Sequence, residues 1–179
     1  MAHSERDFLL SLDLAAHAGL TVDPDVLFAA AFLHDMGGFP EFEKHGVDHA
    51  ARSAEICDQV LIPADFPKSK IEAVREANAT HSYYCKEKPQ TPEAIVLHDA
   101  DTLDFLGAIG VARILSLTGR EAFAPNLEGA IKLLEKLRAA APESIYSGDY
   151  AHGLAQERTQ EMDAFLAALK RESADSRHL

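Results

Sequence analysis

The chain has 179 residues, with 17 Lys and Arg against 29 Asp and Glu for a net charge of −12, and it holds nine His and two Cys. An acid surplus of this size repels a phosphate polymer, whose binding depends on basic side chains releasing counterions, so no nucleic acid partner is expected. The length suits one domain that buries about 70% of its unfolded surface, expected over residues 1–171 with 172–179 as a flexible tail. No apolar run approaches the roughly 20 residues of a membrane span, and the opening Met-Ala-His-Ser-Glu-Arg-Asp has no signal-peptide character. Cys57 and Cys85 form no metal or redox spacing, which suits a reducing cytoplasm.

Ser4 to Ala18 reads as a first helix closed by Gly19, with Phe8, Leu12 and Ala15 on one stripe and His3 at its start. A second helix, Asp25 to Met36, is entered through Asp23-Pro24. From Val26 to Leu33 every residue is apolar, and a helix apolar on all sides belongs in a core. His34 and Asp35 end that run with no Lys or Arg within eight residues, although a buried charge needs a partner or a metal. Adjacent residues point about 100° apart on a helix, so this pair can face one ion only at a helix end. Gly37, Gly38 and Pro40 provide such an end. Taken alone, the pair fits equally well a polar terminus whose histidine bonds a carbonyl.

Gly38 to Lys44 is a turn carrying Glu41 and Glu43. Val47 to Leu61 has helical spacing; His49 lies on this helix, whereas His45 precedes its first turn. Lys68 to His81 forms a fourth helix whose inward stripe, Ile71, Val74, Asn78 and His81, directs His81 toward the core. Pro92 to about Thr118 is the longest helix. On it His98, Asp101 and Asp104 recur at i, i+3 and i+6, and carboxylates on a buried stripe again ask for a cation. Gly107 and Gly110 suggest close approach by another backbone. Asn126 to Ala140 and Asp149 to Arg171 read as packing helices, with Arg158 as a possible exception. No stretch alternates as a strand does, so the expected fold is an all-α bundle of about seven helices.

The series His3, His34-Asp35 and Asp101 resembles the HD-domain superfamily of metal-dependent phosphohydrolases. The surrounding segments agree: His-Ser-x-Arg at the start, Ala-Phe-Leu-His-Asp-Met-Gly around the pair, and Asp-Ala-Asp-x-Leu-Asp-x-Leu-Gly-Ala-Ile-Gly-x-Ala-Arg from Asp99 to Arg113. With the Gln-Glu-Arg-Thr run near the C-terminus, the likeness spans nearly the whole chain. It implies His3, His34, Asp35 and Asp101 as ligands of one divalent transition ion, manganese, iron, nickel or zinc. It also implies hydrolysis of a small phosphorylated substrate, with a nucleotide as the leading class.

Around that centre, Glu41, Glu43 and Asp48 are candidates for the general base. His49 and His81 match positions where two-metal relatives carry further histidines, and are expected here as donors to a phosphate. Lys44 and Arg52 are candidate phosphate contacts, with Lys68, Lys70, Lys86 and Lys88 flanking the same mouth. Asp104 is expected to hold a ligand from behind. Asp7 departs from the resemblance, because many relatives carry an apolar residue there. His3, with two residues ahead of it, is expected to be the least firmly held ligand. The alternatives are a di-iron oxygenase of the same superfamily and a non-catalytic, metal-stabilised nucleotide-binding module.

Overall fold

The computed structural model describes residues 2–173, and among them the only regular secondary structure is helical. Among the described residues the expected seven or so helices become nine, because two of them are each divided in two. The order is α1 (Ala2–Ala18), α2 (Pro24–Leu33), α3 (His49–Ile56), α4 (Asp58–Leu61), α5 (Ile71–Thr80), α6 (Pro92–Asp104), α7 (Gly107–Ser116), α8 (Leu127–Ala140) and α9 (Asp149–Glu172). Glu172 still belongs to α9 and Ser173 is buried, so the expected tail begins no earlier than residue 174; residues 174–179 lie outside the described residues.

The described residues form two compact units, residues 2–101 with 146–150, and residues 102–145 with 151–173. In the first unit α1 packs on α2, α2 on α5, and α5 on α3. The core between them includes Leu14, Leu27, Ala30, Ala50, Ile56, Val74 and Ala77. Asp99, fully buried on α6, ties the 146–150 segment to this unit by accepting from the backbone N–H groups of Tyr146 (2.9 Å) and Ser147 (2.6 Å). In the second unit α7 packs on α8, and Arg158 of α9 donates to the Leu103 carbonyl at 2.7 Å.

Local chemistry explains the helix ends. Asp23 caps α2 by accepting from the N–H groups of Asp25 and Val26, with proline in the first turn. The apolar run does not make α2 wholly internal: Phe28 and Phe32 are exposed, with Phe28 edge-on to Phe8 at 5.4 Å and tilted against Phe32 at 4.5 Å between ring centroids. The helix ends at Leu33, three residues earlier than expected, with His34 as its cap and a tight turn at Met36–Gly38. The predicted long helix is broken after Asp104. Gly107 has a φ of +67°, a left-handed turn that favours glycine, and a Cβ on Gly110 would collide with the Phe105 carbonyl. The two glycines therefore serve the break itself, and the close backbone at Gly110 belongs to the preceding turn.

Candidate metal centre

Gly37 sets the relation between the His34-Asp35 pair and α3. A Cβ at Gly37 would collide with the His49 carbonyl and lie 2.6 Å from the Ser53 nitrogen and 2.7 Å from Arg52 Cβ. Only a glycine lets the backbone of α3 come this close, and the Gly37 N–H donates to Ser53 Oγ at 2.8 Å. The turn thus does more than end α2: it seats α3 so that His49 faces Asp35.

Five elements bring their polar side chains together: α1, the end of α2, α3, the end of α5 and α6. His3 Nε2 lies 3.2 Å from His34 Nε2, 3.3 Å from Asp101 Oδ1 and 3.6 Å from Asp35 Oδ2, while His34 Nε2 lies 3.4 Å from Asp35 Oδ2. On the other oxygen of Asp35, His49 Nε2 lies 3.4 Å and His81 Nε2 3.7 Å from Oδ1, and the two imidazole nitrogens are 3.1 Å apart. Asp35 is the carboxylate at the opening, with its side chain 42% exposed, whereas Asp101 at 5% forms the floor.

The donor set fits a cation. His34 Nδ1 must donate to the Ala31 carbonyl (2.8 Å) and His81 Nδ1 to the Asn78 carbonyl (2.7 Å), because a carbonyl only accepts. In their neutral form both rings turn an Nε2 lone pair toward other nitrogens and carboxylates, an arrangement that repels itself unless a proton or a metal ion lies between. Donors about 3 Å apart are what a divalent ion with ligand distances near 2.1 Å gathers around it. Among the described residues the side-chain partners of Asp35 and Asp101 are imidazoles, with no Lys or Arg. Two groups could hold a metal: His3, Asp7, His34 and Asp101, and His34, Asp35 and His81.

Protonation reports the same field. Burial pulls the His34 pKa down, but hydrogen bonding and charge from Asp35, with Asp101 and Asp7, push it up to about 9. Burial would raise Asp35, yet the surrounding histidines hold it well below the usual carboxylate range, and burial of Asp101 is likewise overcome by His3 and His34. Asp7 moves the opposite way, to about 6, mainly because it is buried, with the Asp101 charge adding to the shift. Burial lowers His81.

A group whose pKa is raised by folding stabilises the fold below its unfolded value, and that contribution is lost as pH rises through the folded value. For His34 the window runs from 6.5 to about 9. Chelator-treated protein is therefore expected to lose thermal stability between pH 6.5 and 9. Metal-loaded protein is expected to escape this loss, since the ion replaces the proton. Melting curves at stepped pH, with and without a divalent ion, measure both.

The other predicted site residues are placed as follows. Asp48 caps α3 and accepts from the Tyr84 hydroxyl at 3.1 Å, and that hydroxyl oxygen lies 3.1 Å from His49 Nδ1. Glu41 and Glu43 are exposed on the loop. Lys44 and Arg52 both pair with Glu55, at 3.2 and 3.0 Å, and Arg52 also donates to the Phe42 carbonyl. Lys70 was expected at the mouth; it instead binds Asp23 and Asp25 at the N-terminal end of α2, the end away from His34. Lys88 lies over the Tyr146 ring, while Lys68 and Lys86 are exposed. Asp104 falls in the second unit, 2.7 Å from Arg113. His98, on the predicted acidic face of α6, bonds Asp99 at 2.9 Å.

Three residues here were not picked out by sequence reasoning as site members: Asp7, whose position four residues after His3 was the available signal, and Ser82 and Tyr84, which lie in a loop without periodicity. Ser82 Oγ lies 3.2 Å from His81 Nε2 and 3.3 Å from His49 Nε2.

Fold and site together define an all-helical protein whose buried histidines and aspartates can hold a divalent metal. The sequence profile described as HD domain matches residues 1–106, and the chain belongs to this family. No curated protein matches it. Among solved structures, it resembles a predicted HD superfamily hydrolase from an uncultured Thermotogales bacterium, with 24% identity, 96% of this chain and 80% of that chain covered, and a TM-score of 0.63. It also resembles Bacillus subtilis YpgQ, with 21% identity, 96% and 87% covered and a TM-score of 0.72. YpgQ in complex with ADP matches at 21% identity over the same shares, with a TM-score of 0.68. These likenesses concern the fold. Among the described residues no helix is long and apolar enough to cross a membrane.

Proposed function

We propose that the chain is a metal-dependent phosphohydrolase that cleaves a phosphoester or phosphoanhydride bond of a small phosphorylated metabolite, with a nucleotide as the substrate class. The observation that carries this reading is the convergence of His3, His34, Asp35 and Asp101 with Nε2 and Oδ atoms facing one another and no basic side chain between them. These four residues would hold the ion. When bound, such an ion makes water a better nucleophile near neutral pH and draws charge from phosphoryl oxygens.

The chain's own residues do the rest. Asp35, half open to solvent, is the ligand nearest the point where a substrate enters. His49 is braced by the Tyr84 hydroxyl, which itself is held by Asp48. With its Nδ1 so engaged, His49 can take or give a proton at Nε2 toward a group seated beside Asp35. His81, fully buried, and Ser82 line the inner wall and offer hydrogen bonds to phosphoryl oxygens. Among the three acids considered as base, Asp48 is favoured by its contact with this histidine. Lys44 and Arg52 would reach a phosphate only by leaving Glu55. The nucleotide class is supported by YpgQ, which shares the fold and has been solved with ADP.

A second reading rests on the two oxygens of Asp35, one facing His3 and His34 and the other facing His49 and His81. A carboxylate placed in this way could bridge two ions, as a di-iron oxygenase requires. Elemental analysis of protein loaded with manganese, iron, nickel or zinc, followed by a nucleotide and phosphomonoester panel, separates the readings. One equivalent of metal with release of phosphate or pyrophosphate is expected. Two irons per chain and no phosphate release would replace the proposal with the oxygenase, and ligand-dependent stabilisation without turnover would make the chain a binding module.

A further inference from the structure

Each histidine at this centre presents Nε2 inward and anchors Nδ1 elsewhere. His34 and His81 anchor theirs on carbonyls three residues back, and His49 on the Tyr84 hydroxyl. His3 stands in the first turn of α1, and its Nδ1 faces a side chain further along the same helix. Side chains on an α-helix lean toward its N-terminus, so the residue four positions on lies against the ring. That residue is Asp7, whose Oδ2 lies 3.0 Å from His3 Nδ1.

A carboxylate is a costly choice for this position. Asp7 has no exposed surface, and neither of its oxygens has a hydrogen-bond partner of good geometry among the described residues. His34 Nε2 lies further off, 3.8 Å from Oδ2. An apolar side chain would pack there without an unpaired charge.

We infer that Asp7 is the positioning residue for His3. Its carboxylate holds the Nδ1–H tautomer and the ring angle, so that Nε2 meets the cation beside His34, Asp35 and Asp101. This inference rests on the metal reading of the site. A carboxylate behind a metal-bound imidazole also compensates the charge that the ring acquires, and loss of such a partner lowers metal affinity about 10- to 100-fold. Asp7 thereby answers the weakness of a ligand at a helix start: it ties His3 to the second turn of α1.

The test measures affinity for Co²⁺ by titration calorimetry in five proteins: unsubstituted, Asp7→Val, Asp7→Asn, His3→Ala and the Asp7→Val, His3→Ala double variant. Asp7→Val is expected to weaken Co²⁺ binding about 10- to 100-fold while raising the melting temperature of the metal-free protein, since a buried carboxylate whose desolvation the single imidazole contact does not offset is removed. A merely structural aspartate would move both quantities downward. In the His3→Ala background Asp7→Val is expected to change Co²⁺ affinity little, because its effect passes through the ring. Asp7→Asn, which keeps an acceptor oxygen without the charge, is expected to fall between the two. Unchanged affinity in Asp7→Val overturns the inference, as does an effect that persists undiminished without His3, which would make Asp7 a ligand in its own right. Failure of the unsubstituted protein to bind Co²⁺, Mn²⁺ or Zn²⁺ overturns the metal reading beneath it, a different result from a selective loss in the variants.

Discussion

Asp35→Asn is expected to lower turnover of any substrate found for this protein by about 10³-fold or more, a loss of at least roughly 4 kcal/mol of transition-state stabilisation. The substitution keeps the shape of the side chain and removes its charge. One oxygen of Asp35 faces His3 and His34, and the other faces His49 and His81, so both halves of the site lose their shared anion. The amide also brings an N–H₂ group against ring nitrogens that, in their neutral form, offer lone pairs. Metal content after dialysis should fall with the activity. Helical content should remain, because Asp35 lies beyond the last residue of α2 and its side chain is half exposed. Full turnover in the Asn variant would remove this carboxylate from the mechanism and with it the proposed ligand set.

Gly37→Ala is expected to cost at least about 3 kcal/mol of stability, the upper end for overpacking a well-packed site. The added methyl meets backbone atoms of α3, the His49 carbonyl and the Ser53 nitrogen, and backbone cannot swing aside as a flexible side chain can. Relief requires α3 to move away from the turn, which breaks the Gly37 to Ser53 hydrogen bond and carries His49 away from Asp35. Urea titration should show the lost stability, and the surviving folded fraction should show weakened turnover. Gly38→Ala is the control, since its nearest neighbour is His49 Cβ at an ordinary 3.5 Å. It is expected to behave much as the unsubstituted chain does. Equal behaviour of the two variants would mean that the turn does not set the position of α3.

Much of the protein was legible in its sequence, for reasons that differ by element. The all-helical class followed from hydrophobic spacing near 3.6 residues and the absence of alternation, both local properties. The end of α2 beside His34 followed from Gly37, Gly38 and Pro40, although the helix stops three residues earlier than periodicity alone indicates. The carboxylates just beyond α2 and on α6 are conspicuous because they follow or interrupt apolar stretches without basic neighbours, a conflict that a single chain displays before it folds. The division of the long helix was less legible. Gly107 and Gly110 mark the region, but the left-handed φ of Gly107 is a property of the turn and not of the letters.

Tertiary structure alone decided which polar groups meet. Asp7 read as a departure from pattern, yet burial and the helical lean of its side chain set it against His3. Lys70 read as a basic residue at the mouth, but its ion pairs with Asp23 and Asp25 keep it at the other end of α2. Tyr84 carried no periodic signal, and only the fold of its loop brings the hydroxyl to Asp48 and His49. The sequence by itself determined the helices and the chemical types gathered on them, because backbone periodicity and side-chain charge are carried residue by residue. The distances among His3, Asp7, Asp35, His49 and His81 arise from packing between helices far apart in the chain, and packing is a property of the folded whole.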